Sequence, residues 1–492
     1  MTPSTQSKPI QIKKPWKPCI ACAIFLSVSP TQPDSVQREP STCASRRHQP
    51  TPTRRHHHRP SESDHPSMAP EVKVPLLEVR GATPAQTLGN IVVSIVGTGV
   101  LGLPFAFRTA GWLAGALGVA GAGAATFYCM LLLLDCRDKL REQETEEDGL
   151  GDERCRHGDG GNYTYGDLGE RGFGPIGRYF TEAIIIIGQT GGSVAYLVFI
   201  GQNLSSVLPA LSSSTVVLAV LLPAEVALSF VRSLSALAPF SILADACTVL
   251  AVAAVVKEDV QLLAERGRPF AGRSAFAGLW GVPFACGVAV FCFEGFCLTL
   301  ALEASMSNRS RFRPVLLQAI VGVTVVYVGF GVCGYLAYGD ATQDIVTLNL
   351  PDNWSTAAVK VVLCVGLALT FAVMMYPIHE IVEARLLAPG GWVRKRCGGV
   401  VQRAALHLSR VAVVAALAAI ACFVPAFGQF VAFVGSTVCA LLSFVLPALF
   451  HLRVVGPRAS PWARAVDYFL LLSGLVFAGH GIYTVLAPSV NY

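Results

Sequence analysis

From Leu88 to Leu486 the chain is a succession of apolar runs, each about twenty residues long and able to cross a bilayer as a helix. This pattern constrains the fold more than any motif does. In hydrocarbon every backbone N–H and C=O needs a partner within the protein, so a spanning segment is a helix or a strand of a closed barrel, and runs of this length are helical. Composition agrees: 52% of the 492 residues are hydrophobic and only 14% are charged, too few to cover a water-facing surface. The chain reads as an all-α polytopic membrane protein. Residues 1–82, rich in Pro, Ser, Thr, Arg and His, are expected to form a disordered tail, and residues 83–487 an eleven-helix domain.

The eleven helices fall at 84–107, 112–134, 179–207, 215–231, 234–256, 282–306, 314–338, 355–386, 401–423, 428–452 and 465–486. A charged connection over 135–178 separates the second from the third, and its acid run from Glu142 to Asp148 suits a solvated face. Arg137, Lys139, Arg141, Arg309, Arg311, Arg313, Arg394, Lys395, Arg396 and Arg453 fall on the side of the basic tail. Connections 3–4, 7–8 and 9–10 on the other side hold no Lys or Arg; connection 5–6, with Lys257, Arg266, Arg268 and Arg273, is the exception. By the positive-inside rule the N-terminus is cytosolic. The basic residues sit between spans, so the net charge of +6 does not argue for nucleic acid. Most cysteines lie inside spans, where a free thiol behaves as a small hydrophobe. The lone Cys19-Ile-Ala-Cys22 pair and the run His56-His57-His58 lack the second pair that a metal site needs, and neither a metal nor a cofactor is expected.

The first span departs from the pattern. Ile95-Val96-Gly97-Thr98-Gly99-Val100-Leu101-Gly102-Leu103-Pro104 sets three glycines and a proline, residues that weaken or end a helix, at membrane depth. A broken helix there is tolerated only where it is buried or lines a cavity. Gly97 and Gly99 let a ligand approach the backbone closely, and the half-helix starting near Gly99 aims a positive dipole end at it, a design that suits a carboxylate. A glycine-lined packing face is the plainer alternative. Phe291-Cys292-Phe293-Glu294-Gly295-Phe296 is a second anomaly, an acid beside a glycine in the middle of helix 6. Helix 6 opens the second set of five helices as helix 1 opens the first, and interrupted segments in corresponding positions point to an inverted-repeat transporter site.

Asp245 is a further acid near mid-span and a candidate for function. Glu182, Glu225 and Glu303, toward span ends, read as interfacial or structural; Gln189, Thr190 and Tyr196 as interhelical hydrogen-bonding residues, with lining of the site as the alternative; His379 and Glu380 as an interface or gate pair. No nucleophile, metal or phosphate-binding constellation argues for an enzyme.

Several separated motifs resemble the amino acid/auxin permease family, and most closely its plant vacuolar amino-acid transporter branch. They are Leu88-Gly89-Asn90 with Gly97 to Phe107 and Gly111-Trp112, then Leu237-Ala238-Pro239-Phe240-Ser241-Ile242-Leu243-Ala244-Asp245, and Phe291 to Phe296 with Leu302-Glu303. Tyr376-Pro377-Ile378-His379-Glu380 and Ser443 to Leu452 complete the set. The resemblance implies a LeuT-like fold of five plus five inverted helices with an eleventh outside the repeat, helices 1 and 6 being broken. It also implies proton-coupled movement of neutral amino acids across the vacuolar or another internal membrane, with the plasma membrane as the alternative. On the same resemblance the substrate carboxylate meets the backbone of Gly97, Thr98 and Gly99, and its amino group meets carbonyls at Cys292, Phe293 and Glu294.

Animal proton-coupled relatives resemble the first of these stretches but carry a histidine where Asn90 stands. Asn90 cannot titrate, which leaves Glu294 or Asp245 as the coupling group if protons drive transport. Thr370, Met374 and Met375 offer little of a hydroxyl-rich sodium site. A sodium-coupled symporter of the same fold and an amino-acid sensor without net transport are the competing readings.

Overall fold

A computed structural model describes residues 82–148, 163–231, 234–267, 270–387, 399–456 and 459–486; the tail before residue 82, Asn162 and the basic run Arg394 to Arg396 lie outside them. Among the described residues eight helices are long and apolar enough to cross a membrane, and a ninth span is formed by two shorter helices bent by 52° at a break. Among the described residues there is no strand, only an isolated bridge between Ala82 and Met306. In chain order the helices are α1 (Pro84–Ile95), α2 (Leu103–Ala110), α3 (Trp112–Asp148), α4 (Tyr165–Val207), α5 (Ser213–Ser229), α6 (Leu234–Arg266), α7 (Gly281–Cys292), α8 (Phe296–Ser305), α9 (Phe312–Tyr338), α10 (Trp354–Leu387), α11 (Gly399–Phe423), α12 (Phe427–Val454) and α13 (Pro461–Leu486).

These helices stand where the apolar runs place spans, with differences at the ends. α3 continues to Asp148, well past the expected end at 134, because its charges pair along the helix: Lys139 Nζ lies 2.5 Å from Glu142 Oε2. α4 begins at Tyr165 instead of 179. Thr164 and Asp167 cap it reciprocally, it kinks at Gly174-Pro175, and Arg178 gathers Asp167, Glu170 and Glu182 at 3.0, 2.8 and 2.8 Å. The charged connection is therefore largely helical on both sides of its central stretch. α5, at Ser213–Ser229, is apolar but shorter than a full crossing.

Packing divides the helices around the breaks. α9 lies against α1, α2 and α3, while α7 lies against α2, α3 and α12. α10 packs on α6 and α4, and α13 covers the outer side of α12. Small residues bring backbones together, as is usual where lipid supplies no hydrophobic drive between helices. The ring of Phe107, fully buried, fills the space left by Gly115 of α3 and Gly331 of α9. Gly111 turns the chain from α2 into α3 at φ 95°, and a Cβ there would strike the Ala275 carbonyl. This close approach lets Trp112 N–H donate to the Ser274 carbonyl at 3.1 Å and Ala277 N–H to that of Ala110 at 2.9 Å.

Candidate functional site

The site is built from the two helix breaks. Gln86 N–H donates to Thr83 Oγ1 at 3.3 Å and Thr83 N–H donates to Gln86 Oε1 at 3.0 Å, so α1 begins with a capping box. It ends at Ile95, and the chain runs extended through Val96 and Gly97 (φ −130°, ψ −161°). A tight 3₁₀ turn over Thr98–Gly102 leads into α2, whose first turn holds Pro104, where no N–H is needed. The second break is shorter: α7 ends at Cys292, Phe293-Glu294-Gly295 is not helical, and α8 starts at Phe296.

A cavity of about 170 Å³ lies where the breaks meet. Gly97, Thr98 and Gly99 line it from the first break, Cys292 and Glu294 from the second, and Asp245 from α6. The structure thus gathers six of the seven residues expected at the site. Phe293 is turned away: its ring is fully buried at 5.2 Å, centroid to centroid, from that of Tyr327 on α9. Among the described residues no Lys, Arg or His lines the cavity. Thr98 Oγ1 and Gln189 Oε1 are buried at its wall with no hydrogen-bond partner, and a buried polar atom in that condition calls for a ligand or water.

Some lining residues were assigned other roles or overlooked by sequence reasoning. Gln189 and Tyr196 of α4, read as interhelical ties, both face the cavity, whereas Thr190 does not line it. A Cβ on Gly97 would come 3.3 Å from the Tyr196 hydroxyl. Cys297 of α8 and Cys439 of α12 also line the cavity, as do Thr370 and Met374 of α10. Tyr327 gave one legible signal, a phenol in an apolar span, since a buried tyrosine hydroxyl usually finds a partner. It lies 3.1 Å from the Ile95 carbonyl and 3.1 Å from that of Cys292.

The connection from Gly339 to Asn349 is tied to α2, α4 and α12 at three points. Arg108 Nη1–H donates to the Thr342 carbonyl at 2.8 Å, Thr347 O–H to Asn203 Oδ1 at 2.5 Å, and Gly428 N–H to Asp344 Oδ2 at 3.3 Å. α1 rests on α9 and α8, and the cavity runs along its free flank past Val93, which is 38% exposed.

The remaining polar candidates lie apart. Glu303 at the end of α8 pairs with the buried Arg137 of α3, and Glu182 with Arg178, as structural residues would. Glu225 is buried with no partner among the described residues and lines no described cavity. His379 is buried near the Arg410–Glu383 pair, whose Nε and Oε1 lie 2.5 Å apart. Asn90 does not line the cavity.

Comparison with known proteins adds a family. The profile of the transmembrane amino acid transporter protein family matches residues 80–487. The chain is 51% identical to amino acid transporter ANT1 of Arabidopsis thaliana over 431 residues, 85% of this chain and 96% of that protein. It is 35% identical to amino acid transporter AVT3B of the same plant, over 82% of this chain and 92% of that one. With vacuolar amino acid transporter 3 of Schizosaccharomyces pombe it shares 24% identity over 83% of this chain and 60% of the yeast protein.

Proposed function

The chain belongs to the transmembrane amino acid transporter protein family, whose members are transporters and not enzymes, and on that premise we propose that it is a proton-coupled secondary transporter of neutral amino acids. The one observation that carries this reading is the cavity at the paired breaks, with two carboxyl side chains and no basic one. In this reading the first ten spans form a LeuT-like five-plus-five repeat with the eleventh outside it, and the breaks are the substrate site.

The substrate carboxylate takes the backbone N–H groups of Thr98 and Gly99, which open the 3₁₀ turn without a side-chain cap and lie at the positive end of the α2 dipole. Its amino group faces the second break, where the Cys292 carbonyl lies at the negative end of α7 and those of Phe293 and Glu294 follow in the non-helical stretch. Glu294 and Asp245 would repel a second carboxylate in a medium of low dielectric, which disfavours acidic amino acids; the preference for neutral ones rests on the family resemblance. One of these two acids takes a proton on the acidic side and releases it on the neutral side. Asn90 has no proton to give. Similarity to a vacuolar transporter of yeast supports a vacuolar membrane for this chain, and the basic connections support a cytosolic N-terminus, with the open flank of α1 facing the cytosol.

The test is uptake by the purified protein in liposomes, with a panel of amino acids and an imposed pH gradient in sodium-free buffer. Accumulation of neutral amino acids that an uncoupler collapses is the expected result. Binding without flux would indicate a sensor, and flux that requires sodium would indicate a sodium symporter.

A further inference from the structure

Two helices end at the site, and both ends point at one oxygen. α1 finishes at Ile95 and α7 at Cys292. The last carbonyls of a helix have no intrahelical N–H to receive, and hydrocarbon supplies none. Aligned peptide dipoles give each C-terminus a partial negative charge. Where two such ends converge, the point between them attracts a cation, and half-helix C-termini with unwound carbonyls coordinate the coupling ion in many broken-helix transporters.

Here that point is taken by a side chain. The Tyr327 hydroxyl lies 3.1 Å from the Ile95 carbonyl oxygen and 3.1 Å from the Cys292 carbonyl oxygen. Tyr327 is 1% exposed, and its ring is held against the buried ring of Phe293 at 5.2 Å. A phenol has one proton, so it donates to one carbonyl at a time or shares that proton between them. It meets both orphan carbonyls without bringing a charge. A sodium ion at the same point would place a fixed positive charge beside the second break.

We propose that Tyr327 is a positioning residue of this site: its hydroxyl ties the first break to the second and stands where a sodium ion would otherwise be drawn. The substrate cavity then assembles without sodium at this point. The proposal rests on the reading of the cavity as an amino-acid site and adds to it the residue that holds the two breaks in register.

The experiment uses the full-length protein in liposomes under a fixed pH gradient, with neutral amino-acid uptake measured in choline and in sodium buffers. Wild type is compared with Tyr327→Phe, which removes only the hydroxyl and keeps the ring on Phe293. The expected wild-type KM is the same in both buffers. The variant's KM rises about tenfold, the scale of one lost buried hydrogen bond, while kcat stays near wild type. The Cys292 thiol, 3% exposed and packed at Gly99, is expected to react several-fold faster with N-ethylmaleimide in the variant, read by mass spectrometry of that peptide. A general loss of folded protein would lower the amount of active carrier and leave KM alone.

A wild-type KM that falls tenfold in sodium overturns the proposal. So does a Tyr327→Phe protein with wild-type KM and wild-type Cys292 reactivity, and in that case amino-acid transport still stands. If the variant is not recovered as monodisperse protein, the sodium comparison on wild type decides alone, independence supporting the proposal and dependence overturning it. Absence of any amino-acid uptake by wild type is a separate failure, which removes the transport reading and the proposal with it.

Discussion

Gly99 lies so close to Cys292 that a Cβ on the glycine would stand 2.8 Å from the thiol sulfur, with the Phe291 ring at 2.9 Å. This is one contact through which the two breaks touch, Gly295 against Ile95 being another, and it gives the two glycines of the motif different duties. At Gly97 the nearest atom to an added Cβ is the Tyr196 hydroxyl, 3.3 Å away at the cavity wall. Gly99→Ala is therefore expected to force α7 away from the first break, costing about 1–3 kcal/mol by overpacking and lowering both melting temperature and uptake. Gly97→Ala is expected to melt like wild type and to raise KM by taking space from the substrate. Thermal melting in detergent beside uptake kinetics separates them. A Gly99→Ala protein unchanged in both would mean that the breaks do not pack against each other.

Glu294→Gln holds the side chain in a form that mimics the protonated acid. In vesicles that are acidic outside and neutral inside, wild type is expected to accumulate substrate. The variant is expected to exchange labelled for unlabelled substrate and to accumulate none. Asp245→Asn is the companion measurement, and if it alone abolishes accumulation, the coupling proton is carried on α6. Full gradient-driven accumulation by Glu294→Gln would make that residue structural.

Arg137 and Glu303 form an ion pair whose side chains are 7% and 2% exposed, joining α3 to the end of α8. Removing one partner strands a buried charge. Arg137→Met and Glu303→Met are each expected to destabilise by about 3–5 kcal/mol, whereas the double replacement Arg137→Met with Glu303→Met is expected to recover most of the loss. Melting curves of the two single variants and the double variant form the cycle that tests this. Additive losses in the double variant would show that the two side chains do not act as a pair.

Orientation is tested with glycosylation. Asn308-Arg309-Ser310 belongs to a basic connection and is expected to remain unmodified in a cell that glycosylates secretory proteins, as is Asn162-Tyr163-Thr164. Asn353-Trp354-Ser355 is the acceptor on the opposite face, but its side chain caps α10 by accepting from Thr356 N–H at 2.8 Å, and it stands at the helix start. The two sites expected to be cytosolic are therefore the decisive ones. A glycan on Asn308 would invert the topology.

Much of the architecture was legible because hydropathy reports the length of a crossing and glycine, proline and a mid-span acid report a break. Gly97 and Glu294 locate the two interruptions within two residues of where α1 and α7 end, and Pro104 marks the first turn of α2. The extents of α3 and α4 were not legible, because beyond the apolar stretch their turns are held by ion pairs and caps that hydropathy does not register. The face presented by Phe293 was hidden for another reason. Helical phase is lost at a break, so the direction of the first non-helical side chain depends on its neighbour Tyr327. Gln189, Tyr196 and Cys439 come to the cavity from α4 and α12, at positions that no glycine-proline or mid-span acid signal marks, and only tertiary placement distinguishes them from ordinary packing residues.

α1 is anchored at both of its ends and left bare along one flank. At its start Ala82 N–H donates to the Ser305 carbonyl at 2.8 Å and Ser307 N–H donates to the Ala82 carbonyl at 3.0 Å; at its finish Ile95 is bound to Tyr327. A beam supported in this way does not swing like a flap from a single hinge. Because its near support is the end of α8, α1 and α8 are joined as one leaf, and whatever widens the passage beside Val93 has to carry both. A spin-label pair placed across their ends would report one unchanging separation throughout the transport cycle, while each of them moved against α6 and α10.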